Sequence, residues 1–127
     1  MNSSYFETRF RSPRPVTRWP AEFVVISAFA TTGQTWTAQQ NEDADRTLAS
    51  DLVARGVWLE RVTGYSPATD HAEPSWAVEL SLDAACILGL RFHQDAIYHV
   101  KDDRLSVTRC IAPHDLVYVD SFRLRLD

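Results

Sequence analysis

Hydrophobic positions change their period several times along the 127-residue chain, and each change marks a predicted element. Phe23-Val24-Val25-Ile26-Ser27-Ala28-Phe29 is a continuous β-branched and aromatic run, the pattern of a central strand buried on both faces. Thr31-Thr32-Gly33-Gln34 then turns the chain. Beyond it Ala44, Leu48, Leu52 and Arg55 recur at helical spacing. Asn41 reads as the N-cap of this helix, with Glu42, Asp43 and Asp45 where the helix dipole favours negative charge and Gly56 as its left-handed stop. Val57 to Thr63 reads as a strand, and so does Trp76-Val78-Leu80 alternating with Ala77 and Glu79. Ser81 caps a second helix with Asp83 in its first turn and Leu82, Ala85, Cys86, Leu88 and Phe92 on a wide apolar face. Gly89 within that helix costs about 1 kcal/mol relative to Ala, which predicts a close helix-to-sheet contact. Ala96 to Val100 and Leu105 to Arg109 flank Lys101-Asp102-Asp103-Arg104, a hairpin turn by composition. After Pro113, Leu116 to Val119 and the alternation of Phe122, Leu124 and Leu126 with Arg123 and Arg125 predict one or two closing strands.

The order strand, helix, strand, strand, helix, strand predicts an α+β fold, a ferredoxin-like βαββαβ sandwich. Its sheet is mainly antiparallel, two helices cover one face, and one or more C-terminal strands are added. Residues 1–22 hold Pro13, Pro15 and Pro20 and lack a clear period beyond Tyr5 to Phe10, so they read as an extended N-terminal arm able to add an edge strand. Residues 23–127 form the single α+β domain of this reading.

A chain of 14.4 kDa with 45% hydrophobic and 24% charged residues is large enough to fold on one core without disulfides. Its longest apolar runs fall far short of a membrane span. The N-terminus lacks the basic, apolar and small-residue segments of a secretory signal, which predicts a cytoplasmic protein. Cys86 and Cys110 have no CxxC spacing and read as reduced, structural thiols. A net charge of −4 argues against nucleic-acid or anionic-membrane binding. The charge is uneven, with Arg9, Arg11, Arg14 and Arg18 in the arm and Glu42, Asp43, Asp45 and Asp51 further on. The arm either lies over acidic groups of its own fold, stays solvated, or recruits an acidic partner.

Candidate chemistry gathers in Gly64 to Trp76, where turn formers, ionisable groups and aromatics crowd without helical or strand period. Ser66-Pro67 and Glu73-Pro74 hold Ser66 and Glu73 in extended conformation at either end of a loop. Asp70, His71 and Glu73 could form an acid/base cluster, or Glu73 and Ser66 could bind unpaired backbone N–H groups while His71 stays exposed. Gln94, entering a central strand, is either a latch for the loop or part of a pocket floor. His71, His93, His99 and His114 lack metal-ligand spacing, so no metal site is predicted. Ser66 is outside a GxSxG elbow, and Gly33 and Gly64 are isolated, so neither covalent catalysis nor a phosphate loop has support. No catalytic residue and no cofactor is assigned.

Several motifs in order, Phe23 to Phe29, Asn41 with the helix to Leu52, Gly64-Tyr65-Ser66-Pro67, His71 to Val78, and Phe92 to Tyr98, resemble the bacterial domain-of-unknown-function family DUF3293. The resemblance spans about residues 21 to 109 and leaves residues 110 to 127 as an extension. It implies a small bacterial cytoplasmic protein without established activity, and Asn41, Ser66, Glu73, Ser75 and Gln94 match the family's polar positions. The leading reading is a non-enzymatic binding or protein-interaction module, with Asn41, Ser66, His71, Glu73, Trp76 and Gln94 as ligand-binding candidates. The alternative is a small hydrolase or nucleotide-handling enzyme using Glu73 and His71. Partners on these readings are a small ligand, a protein, or a second copy meeting the sheet edge at Phe122 to Leu126.

Overall fold

The computed structural model describes residues 1–31 and 35–127, so the predicted turn at Thr31 to Gln34 lies mostly outside the described residues. A 3-10 turn at Ser3–Phe6 leads into seven strands and three helices. These are β1 (Arg9–Arg11), β2 (Glu22–Ile26), α1 (Ala38–Ala54), β3 (Leu59–Tyr65), β4 (Ala72–Val78), α2 (Leu82–Arg91), β5 (Ala96–Lys101), β6 (Arg104–Arg109), β7 (Val117–Ser121) and the single turn α3 (Phe122–Arg125). All strands join one sheet in the order β1-β3-β4-β2-β5-β6-β7, every neighbouring pair antiparallel. The α+β class holds, and the sheet is larger than a four-stranded ferredoxin-like core. It curls until Phe10 of β1 forms a bridge with Leu126, and the Asp127 amide donates to the Phe10 carbonyl at 2.9 Å.

The central position of β2 follows from its composition, since Phe23 to Ile26 are all buried and feed both faces. Val24 and Ile26 pack with Leu48 and Leu52 of α1 and with Ala85, Cys86 and Leu88 of α2, so both helices cover the same face. Phe23 and Val25 point into the concave face, against Phe10, Val62, Ala77, Val100, Leu105 and Phe122. Burying each of these large side chains stabilises the fold by roughly 1.5–3 kcal/mol.

Three expectations change. Asn41 is not the N-cap of α1: Thr37 caps it, its hydroxyl accepting from the Gln40 amide while the Gln40 side chain accepts from the Thr37 amide. This reciprocal box satisfies two orphan donors at once, which a lone Asn41 cap would not do. The segment Gly64 to Trp76 is mostly paired strand, with Gly64 opposite Glu73 and Tyr65 opposite Ala72, so only Ser66 to His71 turns the chain. Pro74 is tolerated because it lies two residues before Trp76, the first β4 residue paired with β2, so that ladder asks no N–H of it. Phe122 to Leu126 is not an exposed strand edge: Phe122 is buried in the concave core, and Phe122–Arg125 is a helical turn. Its Leu/Arg alternation reflects one turn laid against β1, not a pleat.

Other expectations stand. Gly56 takes φ +68 behind α1, and Ser81 caps α2 by accepting from the Ala84 amide. Asp102 and Asp103 both have positive φ, the geometry of a two-residue hairpin that matches strand twist. Arg9–Arg11 supplies the edge strand, pairing with β3. Among the described residues no ion pair joins the arginines of residues 1–22 to the acids of α1: Arg9 pairs with Asp127 and Arg14 with Glu60, while Asp51 pairs with Arg55 and Arg91. Cys86 and Cys110 are free and buried, and burial pushes the Cys110 thiol up to about 12.

A side chain at Gly89 would place its Cβ 2.5 Å from Cys110 Sγ and 3.4 Å from Ile97 Cγ2. Gly89→Ala is therefore expected to cost roughly 1–3 kcal/mol in urea unfolding despite the better helix propensity of Ala. Cys110→Ala should recover part of that loss, so the double variant is more stable than the sum of the two single effects. Strict additivity would show that the contact is not the cause.

Candidate functional site

Alternation along the strands sorts the concave face into an apolar end and a polar end. Outward from the core the inward positions read Phe23-Val25-Ser27 on β2 and its exit, Ala77-Ser75-Glu73 on β4, and Val100-Tyr98-Ala96 on β5. Register aligns them, because Val25 lies opposite Ala77 on one side and Tyr98 on the other. Val62, Gly64 and Ser66 continue the pattern on β3. The polar ends, closed by Ser4, Tyr5 and Thr8 of the N-terminal turn, line a cavity of about 390 Å³. Tyr98 holds that turn in place, its hydroxyl lying 2.9 Å from the Tyr5 carbonyl and 2.8 Å from Thr8 Oγ1.

Three predicted residues converge on the chain leaving β2. Ser27 Oγ donates to Glu73 Oε1 at 2.9 Å and accepts from the Phe29 amide at 3.0 Å. Gln94 Nε2 donates to the Phe29 carbonyl at 2.8 Å and the Phe92 carbonyl at 3.2 Å, and Asn41 Oδ1 accepts from the Ala30 amide at 2.9 Å. Gln94 is thus a latch and a wall of the cavity together. Glu73 bonds a hydroxyl instead of backbone amides. The Pro74 carbonyl, 3.2 Å from Ser27 Oγ, offers that hydroxyl a second acceptor. Glu73 and Gln94, two elements apart, meet through Ser27 and Phe29 without touching each other.

The remaining predicted residues divide. Ser66 and His71 line the cavity mouth. Ser66 organises the turn through its backbone, its amide donating to the His71 carbonyl and its carbonyl accepting from the Asp70 amide, both at 2.9 Å. His71 is exposed, and among the described residues no hydrogen bond or ion pair joins it to Glu73. Trp76 projects to the opposite face. Its indole donates to Asp45 Oδ1 at 3.1 Å, under an Arg61 guanidinium 4.3 Å from the ring that is itself bidentate to Asp45. This cluster ties α1 to the sheet and lies outside the cavity. Ser27, Tyr5 and Tyr98 escaped the sequence reading; the period-two pattern through Glu73 and Ala77, joined to strand register, is the signal that finds Ser27 and Tyr98, and Tyr5 carries no such signal.

Electrostatics set the cavity apart. Burial pushes the Glu73 carboxyl above the usual carboxylate range, and the Ser27 hydrogen bond and the His71 charge only partly offset it. Burial, then the charges of Asp95 and Glu73, push Tyr5 up to about 12. No Lys or Arg is among the described residues lining the cavity. Among the described residues no group of three His, Cys, Asp or Glu side chains is placed to hold a metal ion, and no helix is long and apolar enough to cross a membrane.

These elements, from the end of β2 through both helices to the start of β5, coincide with a family model. Residues 26–97, more than half of the chain, match the model for DUF3293, a protein family of unknown function. The chain belongs to the DUF3293 family. The DUF3293 segment carries Ser27, Asn41, Ser66, Glu73 and Gln94, whereas Tyr5, Thr8 and Tyr98 come from outside the matched residues. No curated protein matches the chain.

A carboxyl whose folded pKa is raised binds its proton more tightly in the native state, so it favours folding below its ordinary value near 4.5 and that stability is lost as pH rises through the raised value. Wild type is therefore expected to lose stability relative to Glu73→Gln as pH climbs from about 4.5 to neutrality. A difference in unfolding free energy that stays constant across that range would contradict it. Gln94→Leu, which orphans the Phe29 and Phe92 carbonyls, should cost roughly 1–3 kcal/mol at every pH, read from chemical denaturation.

Proposed function

We propose that this DUF3293 protein is a non-enzymatic binding module that takes a small hydrogen-bonding molecule into the polar end of its curled sheet. The observation that carries this reading is the cavity of about 390 Å³, within the range of small-molecule sites, on which Ser66, His71, Glu73 and Gln94 converge from three segments of the chain. Its floor is apolar through Phe10, Val25 and Ala96, and its walls offer a few directed polar groups, the division of labour of a ligand pocket. A hydrolase reading would need a base poised on a nucleophile, and His71 bonds neither Ser66 nor Glu73 through its side chain among the described residues. A nucleotide reading would need cations or a cradle of amides, and the described lining has neither Lys nor Arg.

The central strands, ordered β3-β4-β2-β5 with α1 and α2 on one face, support reading this core as a ferredoxin-like unit enlarged at both edges. On that reading the family's matched segment builds the frame, and the N-terminal turn completes the pocket.

A fragment screen followed by amide NMR on the full chain tests the proposal. Binders are expected to shift the amides of Ser27, Ser66, Glu73, Ser75 and Gln94 together, and Ser66→Trp, which fills the mouth without breaking the backbone bonds of the turn, should remove the shifts while the fold is retained. Fragments that gather elsewhere, or none that shift these amides, would overturn it.

A further inference from the structure

We propose that the molecule this cavity takes is headed by an alkylammonium group, with Glu73 as its counter-ion and tyrosine rings as its walls. The inference rests on the binding reading above and adds the chemical class of the ligand.

Two acceptor atoms at the polar end, Gln94 Oε1 and Glu73 Oε2, meet no protein donor among the described residues. The two partners of Gln94 Nε2 are carbonyls, which fixes the orientation of the amide and leaves its Oε1 with no donor among the described residues. Ser27 meets Glu73 through Oε1, and no protein donor among the described residues meets Oε2. A half-buried carboxylate that faces a cavity is stabilised when a cation joins it. Arg9 holds Asp127, Arg11 lies over the Tyr65 ring at 4.6 Å, and Arg125 holds Asp120 and the carbonyls of Phe6 and Thr8, while Arg109 lines a separate pocket on the other side of Gln94 and Ala96. None of these arginines lines the cavity.

The walls suit the same guest. Tyr5, Phe10 and Tyr98 line the cavity, with Tyr5 and Phe10 set edge-on to Tyr98 at 6.1 and 5.2 Å between ring centres. Electron-rich rings beside one carboxylate, with no Lys or Arg among the described lining residues, attract an ammonium and repel a phosphate or carboxylate. A neutral hydrogen-bonding guest would use the same acceptors but gain nothing from the charge of Glu73.

The test compares three probes that share one skeleton, phenethylamine, 2-phenylethanol and phenylacetate, titrated into the full chain at neutral pH and followed by amide NMR. The amine is expected to bind about tenfold or more tighter than the alcohol, and Glu73→Gln to remove that difference between the two probes. If the alcohol matches the amine, or Glu73→Gln leaves amine binding intact, the ammonium assignment falls and the small-ligand site survives. If phenylacetate binds tightest, the charge logic fails outright. If no probe shifts the cavity amides and the fragment screen is also silent, both readings fall.

Discussion

A sheet curled far enough for its first strand to bridge its last residues must be filled from within, and the filling here is aromatic. Trp58 and Trp19 pack on Phe23, Phe23 meets Phe122, Phe122 meets Phe10, and Phe10 meets Tyr98, every ring centre within 5.2 to 5.6 Å of the next. Each of these rings is a large apolar payload in a geometry that adds pairwise attraction. The residues that supply them lie far apart in the chain, in the arm, on β1, β2 and β5, before β3 and in α3, so the filling also holds the curl closed. It ends at Tyr98 and Tyr5. Beyond them the inward positions shrink and turn polar, to Ser27, Ser75 and Ala96, and an unfilled volume is the direct result.

That unfilled volume has a rigid wall because the chain leaving β2 is pinned at three consecutive points. Ser27, Phe29 and Ala30 are bonded in turn by Glu73, Gln94 and Asn41, which come from β4, from the approach to β5 and from α1. The roles are not equal. Asn41 and Gln94 satisfy backbone groups that would otherwise be buried unpaired, so their worth is structural. Glu73 satisfies a hydroxyl that has the Pro74 carbonyl as a second acceptor, so the fold does not need its charge. A group that the fold can spare, that burial makes costly and that faces a cavity is where a functional reading is strongest.

Much of this was legible in the chain. The strand and helix order, the positive-φ stop at Gly56, the cap at Ser81 and the close approach at Gly89 are local or nearly local signals, and local signals survive folding. What failed was competition between neighbours. Asn41 has the residue type of a cap, but Thr37 with Gln40 makes a better one, and Asn41 is spent on Ala30 instead. Gly64 to Trp76 reads as a loop because two prolines and a run of polar residues hide strand period, yet Gly64 and Tyr65 pair with Glu73 and Ala72 within it. Phe122 to Leu126 alternates like a strand, but a single turn buries Phe122 in the aromatic core and lays Leu126 against its edge. Trp76 was grouped with Glu73 by proximity in sequence, although three residues along a strand separates them onto opposite faces.

That last miss shows how such a site has to be read. Closeness along the chain gathered Ser66, His71, Glu73 and Trp76 into one cluster; strand parity removes Trp76 and admits Ser75, and register across the sheet admits Ser27 and Tyr98, which lie far from Glu73 in sequence. Tyr5 is beyond both rules. It reaches the cavity because the Tyr98 hydroxyl and the Arg125 guanidinium hold backbone carbonyls of the N-terminal turn, contacts between chain ends that no local pattern encodes. The matched family segment ends at residue 97, so the residues that close the cavity over it belong to the flanks of this chain. The frame of the pocket is a property of the family segment, whereas the wall that would meet the far side of a ligand is set by sequence on either side of it.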